Sequence, residues 1–226
     1  MKKKGIALVE RQYLFPFVLI TSLFFLWGFA HAILDVLNKH FQELLTITRT
    51  HSAMIQATMY MGYFIMAIPA GLFINRHGYR RGVVLGLLLY GTGSLLFIPG
   101  QYIASFNMFL FSLFVIGCGL TFLETAANPY VTELGARETA ASRLNFAQSF
   151  NGLGCIFAPI LTGLLLFSDD DKGAGGNVAL PYAVMGVVVL LAALAFVRVP
   201  LPEIPHEEEV DSEGRRVSLW SHKLFV

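Results

Sequence analysis

"GLTFLETAANPYVTELG", residues 119–135, sets a glutamate among apolar and small residues, with a proline five positions later. On a surface helix Glu124 is one solvated charge among many. Inside a membrane helix it is a carboxylate placed where charge is expensive, about 2.5–3.5 kcal/mol at the bilayer centre on insertion scales. The flanking sequence chooses between the two. Glu124 sits near the middle of an apolar run, 107–134, that is long enough to cross a bilayer, which takes about 20 helical residues.

Five further runs share that length, at roughly 13–38, 50–73, 82–101, 140–167 and 180–199. The whole chain of 226 residues is 55% hydrophobic and only 14% charged, with a mean hydropathy of +0.63. Ordinary soluble domains carry about 25% charged residues. The expected fold class is therefore an all-α membrane protein, a bundle of six transmembrane helices over residues 1–199. "MKKK", an apolar stretch and "AHA" (30–32) have the outline of a cleaved signal peptide, but the run is too long and contains Pro16, so it reads as a retained first helix. No basic patch with interleaved aromatics is present, so nucleic acid is not an expected partner. Cys118 and Cys155 lie in apolar runs and read as buried hydrophobes, with neither a disulfide nor a metal site implied.

Lysine and arginine orient the bundle. With the N-terminus in the cytoplasm, thirteen of the sixteen fall on the inner side and only Lys39, Arg49 and Lys172 outside. An even number of spans returns the tail to the cytoplasm. There, "PLPEIPHEEEVDSEGRR" (200–216) reads as a charged, solvated linker. "VSLWSHKLFV" (217–226) turns apolar and stops, like the start of a further helix, so the chain reads as a fragment of a longer protein.

The spans repeat a pattern. The first and fourth each hold a carboxylate, Asp35 and Glu124. The second and fifth hold polar stripes: Gln56, Tyr60 and Tyr63, and then Asn145, Gln148 and Asn151, each set on one helical side. The third and sixth hold no ionisable core residue. Two three-helix repeats follow, inverted relative to each other, with the third helix of each facing lipid and the other two lining something wet. Glu124 then has two readings. It either carries a proton between the two sides or holds helices together by a neutral hydrogen bond. Asp35 lies nearer the outer rim, where plain solvation is the alternative. His31, four residues earlier, shares its helical face and can pair with it. "GLFINRHGYRRG" (71–82) falls between the second and third spans. Gly71 permits close helix approach, Gly78 a tight turn, and Arg76, Arg80 and Arg81 can bond helix-end carbonyls or acidic partners across a gate.

This loop resembles the loop 2–3 motif of the major facilitator superfamily, G-x-x-x-D-R-x-G-R-R, with Asn75 in place of the aspartate and Tyr79 where arginine is common. "FFLWGFAHAILDVLNKHFQ" (24–42), "LETAANPYVTELG" (123–135) and "SRLNFAQSFNGLGCIFAP" (142–159) are similar to the fucose–galactose–glucose:proton symporters, the L-fucose permease family. The resemblance covers about Phe15 to Val199. It implies the N-terminal half of a twelve-helix transporter, with two six-helix bundles around a central sugar cavity. It implies proton coupling and sugar recognition at Asp35 and Glu124, and sugar contacts from Gln148 and Asn151. Asn145, Gln56, His31 and Asn128 complete the candidate sugar ligands. Fucose members carry asparagines just before the aspartate of the first helix. Here those places hold His31, Ala32 and Leu34, which leaves the monosaccharide open and makes His31 a candidate stand-in for a lost amide.

The expected function is proton-coupled monosaccharide symport across a bacterial inner membrane by alternating access. No cofactor is expected, the proton being the coupling ion. The partners are the sugar, membrane lipid, and a C-terminal six-helix half or a second copy. A uniporter or a drug–proton antiporter fits the same fold. A six-helix scaffold that moves nothing fits the length but leaves the two intramembrane carboxylates unexplained. No nucleophile–base pair or metal-ligand cluster suggests an enzyme.

Overall fold

The computed structural model describes residues 8–44, 49–103, 105–166 and 179–198. Among these residues every regular element is helical. A 3-10 turn, Arg11–Tyr13, leads into α1 (Leu14–Leu44), followed by α2 (Arg49–His77), α3 (Tyr79–Leu95), α4 (Phe97–Ile103) and α5 (Phe106–Glu133). A second 3-10 turn, Arg137–Thr139, precedes α6 (Ala140–Leu166), and α7 (Ala179–Arg198) ends the set. The expected linker, the apolar tail and the N-terminal lysines lie outside the described residues.

α3 and α4 are two pieces of one span that breaks at Leu96. Pro99 supplies the reason, since its ring crowds the carbonyl four residues back and offers no N–H to it. Six transmembrane helices result, in the positions the apolar runs mark. Five of them are long and apolar enough to cross a membrane by composition alone. α6 is diluted by Arg143, Asn145, Gln148 and Asn151, yet it packs along α1 as a full-length partner.

The packing follows the repeats. α1 lies against α6, and α2 against α5, the pairing expected when two three-helix units exchange places. The exchange is incomplete, because α3 also runs along α5 while α1 has no comparable contact with α7 among the described residues. Small residues let these backbones meet, as membrane bundles require where lipid supplies no hydrophobic drive. A Cβ on Gly28 would stand 2.1 Å from the Asn151 carbonyl oxygen, and one on Gly154 would stand 2.2 Å from that of Phe25. The α1–α6 contact is thus backbone against backbone. Around it lies a core of Ile20, Leu23, Phe24, Ile33, Leu120 and Tyr130, all essentially sealed. α7 shows an aliphatic outer face of Val184, Val187, Leu191 and Leu194, as a lipid-facing third helix should.

Two boundaries differ from expectation. α1 runs on to Leu44, past the charged Lys39, because hydropathy marks where the bilayer ends and not where the helix does. The 71–82 stretch is not a loop. Residues up to His77 belong to α2, Tyr79 opens α3, and Gly78 alone breaks the helix, at φ 86°. A left-handed φ is open to glycine at little steric cost, which is how one residue can make the turn.

Candidate functional site: carboxylates on a shared face of three helices

α1 and α2 run antiparallel, and their polar residues meet in order. Gln56 Nε2 donates to Asp35 Oδ1 at 3.1 Å. Two turns along, Trp27 Nε1 donates to the Tyr63 hydroxyl at 3.0 Å. His31 lies between these links. Its Nδ1 is 3.1 Å from the Trp27 carbonyl and its Nε2 is 3.5 Å from the Tyr63 hydroxyl, the outer limit of a hydrogen bond. The expected His31–Asp35 pair is therefore not formed. A shared helical face brought the two near each other, but the aromatic neighbours hold both ring nitrogens and Gln56 takes the carboxylate.

Glu124 is half-buried on α5. It lines a cavity of about 530 Å³ with Tyr63, Phe64, Thr121, Thr125 and Asn128. The lining mixes hydroxyl and amide groups with apolar walls. Thr121 and Thr125 turn their hydroxyl hydrogens back to the carbonyls of Gly117 and Thr121, each at 2.8 Å, so their oxygens remain as acceptors. Pro129 has no N–H for the Thr125 carbonyl, so that carbonyl lacks its usual helical donor. Asn128 Oδ1 is buried with no hydrogen-bond partner among the described residues. Phe64, 84% exposed, marks the side on which the cavity opens.

The amides of α6 divide. Asn151 Nδ2 donates to the Phe24 carbonyl at 3.2 Å and so ties α6 to α1, leaving its oxygen available. Asn145 and Gln148 are exposed on α6. The face therefore carries a Gln56–Asp35 pair and a separate Trp27–Tyr63–His31 group, and Tyr63 also lines the cavity of Glu124 and Asn128. Among the described residues no hydrogen bond joins the α6 amides to any of these side chains.

The basic residues around Gly78 have distinct fates. Arg80 Nε donates to the Phe196 carbonyl at 3.2 Å, and its Nη2 donates to that of Val197, so it caps the end of α7. Arg76 in the last turn of α2 and Arg81 in the first turn of α3 are exposed. Gly71 has nothing within 4 Å of where a Cβ would stand, so among the described residues it mediates no close helix approach. The helix-end carbonyl contact open to the three arginines is made by Arg80.

Two groups went unread in the sequence. Trp27 joins the site through its indole N–H, and its only signal was the four-residue spacing to His31. Arg143 was counted merely as positive-inside charge. It is fully buried and donates to the carbonyls of Val131, Leu8 and Ala136 at 3.0, 3.3 and 3.0 Å, to Thr139 Oγ1 at 2.6 Å, and to the Thr132 carbonyl. It fixes the end of α5, which carries Glu124, to the start of α6. Cys118 is buried as expected, whereas Cys155 is exposed on α6, its Sγ 3.4 Å from the Gly28 carbonyl oxygen.

Ionisable and amide groups on one side of an apolar six-helix bundle define a multi-pass membrane protein with an internal polar face. The chain belongs to the Major Facilitator Superfamily, which it matches over residues 17–225. It is 46% identical over 172 residues to the L-fucose-proton symporter of Haemophilus influenzae, covering 75% of this chain and 40% of that protein. It is 36% identical to the glucose/galactose transporter of Brucella abortus, covering 96% of this chain and 54% of the relative. A crystal structure of the Escherichia coli fucose:proton symporter is 37% identical and superposes with a TM-score of 0.70, covering 85% of this chain and 50% of that one. The chain thus spans about half the length of the relatives it matches.

Proposed function

We propose that this chain forms the N-terminal half of a proton-coupled monosaccharide symporter of a bacterial inner membrane. The observation that carries the reading is Glu124, a half-buried carboxylate on a cavity lined by hydroxyl and amide groups, which shares Tyr63 with the Trp27–His31 group of α1. Glu124 takes a proton from outside, and the sugar binds against Asp35, Gln56, Asn128 and the α6 amides Asn145, Gln148 and Asn151. His31 contributes through Tyr63. The bundles then rock, and protonated Glu124 makes the crossing without a buried charge. The ligands drive this only by binding the two states unequally. The distribution of lysine and arginine supports a cytoplasmic N-terminus and tail. Arg76, Gly78, Arg80 and Arg81 form the cytoplasmic end of the gate. The far wall of the cavity comes from a C-terminal six-helix half or from a second copy.

The test is reconstitution into proteoliposomes together with a C-terminal half from a relative. Addition of fucose, galactose or glucose should draw protons inward. Glu124→Gln should abolish sugar-driven proton uptake while leaving sugar exchange measurable. Proton uptake that survives this substitution rules out Glu124 as the coupling group. Sugar flux with no proton movement in the native chain favours the uniporter instead.

A further inference from the structure

A second cavity is larger than the one at Glu124. It has a volume of about 690 Å³ and lies at the α2–α3 turn, against the end of α7. Its mouth carries Arg76, Arg80 and Arg81, and its wall along α3 is Val84, Leu85 and Leu88. Arg80 is committed to the carbonyls of Phe196 and Val197. Arg76 and Arg81 have no hydrogen-bond or ion-pair partner among the described residues. None of the described lining residues is acidic, and Asn75 stands in the lining where a carboxylate would have neutralised an arginine. Glu133, at the end of α5, is within electrostatic reach of Tyr79 but does not line the cavity.

The geometry points to a binding site for an anionic phospholipid, its phosphate held between Arg76 and Arg81 and its acyl chain laid along Leu85 and Leu88. Three features select a lipid over other anions. The cavity has the volume of a small-molecule site, about 300–1,000 Å³. Its charged mouth stands at the end of transmembrane helices, at the depth of lipid headgroups, where basic pockets between spans bind such groups. Its aliphatic wall is continuous with the outer flank of the bundle, where Leu88 is 44% exposed and Leu191 of α7 is 60% exposed. A soluble phosphate uses the arginines and leaves that wall wet. Arg80 makes the site consequential, because the same turn that holds the headgroup also caps α7 and joins the two halves of the repeat pair.

Native mass spectrometry of the chain in detergent tests this, with phosphatidylglycerol titrated against phosphatidylcholine of equal chain length. The native chain should prefer phosphatidylglycerol by at least about tenfold. Arg76→Gln with Arg81→Gln should weaken that binding about 30-fold, which corresponds to about 1 kcal/mol per basic residue. Arg76→Lys with Arg81→Lys should stay within about threefold of the native chain, and Arg11→Gln with Arg137→Gln, away from the cavity, should change nothing. Equal retention by the double glutamine variant overturns the proposal, as does equal binding of phosphatidylcholine. An equal loss in the Arg11 and Arg137 control shows diffuse surface charge instead. Displacement by glycerol 3-phosphate at matching concentration shows a soluble-phosphate site. Circular dichroism checks folding. If the glutamine pair fails to fold, the lysine pair and the lipid preference of the native chain decide.

Discussion

Arg143→Ala is the substitution whose effect the structure defines most sharply. One guanidinium, fully buried, serves the carbonyls of Leu8, Val131, Thr132 and Ala136 and the Thr139 hydroxyl. Val131 and Thr132 lie in the last turn of α5, where a helix leaves its carbonyls unpaired and its dipole favours a cation. A hydrogen bond to a charged group is worth about 1.5–3 kcal/mol taken alone. Five such bonds do not add, because one residue makes them all and a helix end admits water once the side chain is gone. The expected loss is about 3–5 kcal/mol, the range for breaking a buried charged contact. Lysine keeps the charge, but its three donors radiate from a single atom, so Arg143→Lys should lose about half as much. Reversible unfolding in mixed micelles, followed by far-ultraviolet circular dichroism, measures both. Limited proteolysis near Leu8 should quicken in the alanine variant, since the segment before α1 loses its anchor. An alanine variant within about 1 kcal/mol of the native chain refutes the reasoning, and so does a lysine variant as unstable as alanine.

Gly154→Leu should abolish the folded bundle or cost at least about 3 kcal/mol, because its Cβ meets backbone and not a movable side chain; yield of folded protein in detergent reports it. Gly78→Val and Gly78→Asn should each destabilise by about 1–3 kcal/mol, because φ 86° combined with ψ 161° is a backbone region essentially confined to glycine, and reversible unfolding in mixed micelles measures both. Gln56→Leu removes the donor to Asp35 and should raise the sugar concentration for half-maximal transport about fivefold, with proton coupling intact, as flux assays on the reconstituted transporter would show. Loss of coupling in that variant would move the coupling role towards Asp35.

The positions of all six spans were legible because apolar length is a long-range, averaged signal. What the average hides was lost. Gly78 was readable as a turn, but the helices closing on it from both sides were not, since charged Arg76 and Arg81 look the same in a loop and in a helix end. Asp35 and Glu124 stood out by their cost in a membrane. The partner of Asp35 did not, because the four-residue spacing offers His31, whereas Gln56 lies on another helix and only the α1–α2 register brings it to the carboxylate. Arg143 was invisible as a structural residue. Its carbonyl partners are backbone, which carries no sequence signal, and one belongs to Leu8, more than a hundred residues away.

The unequal burial of the two cysteines gives the bundle a natural reporter. Cys155 is exposed and sits against the Gly28 carbonyl at the α1–α6 crossing, while Cys118 is enclosed within the bundle. A maleimide dye applied to the unaltered chain should therefore react at Cys155 first. Its labelling rate and emission would follow the opening of the α1–α6 seam and the approach of any second bundle, with no engineered thiol and no cysteine to remove.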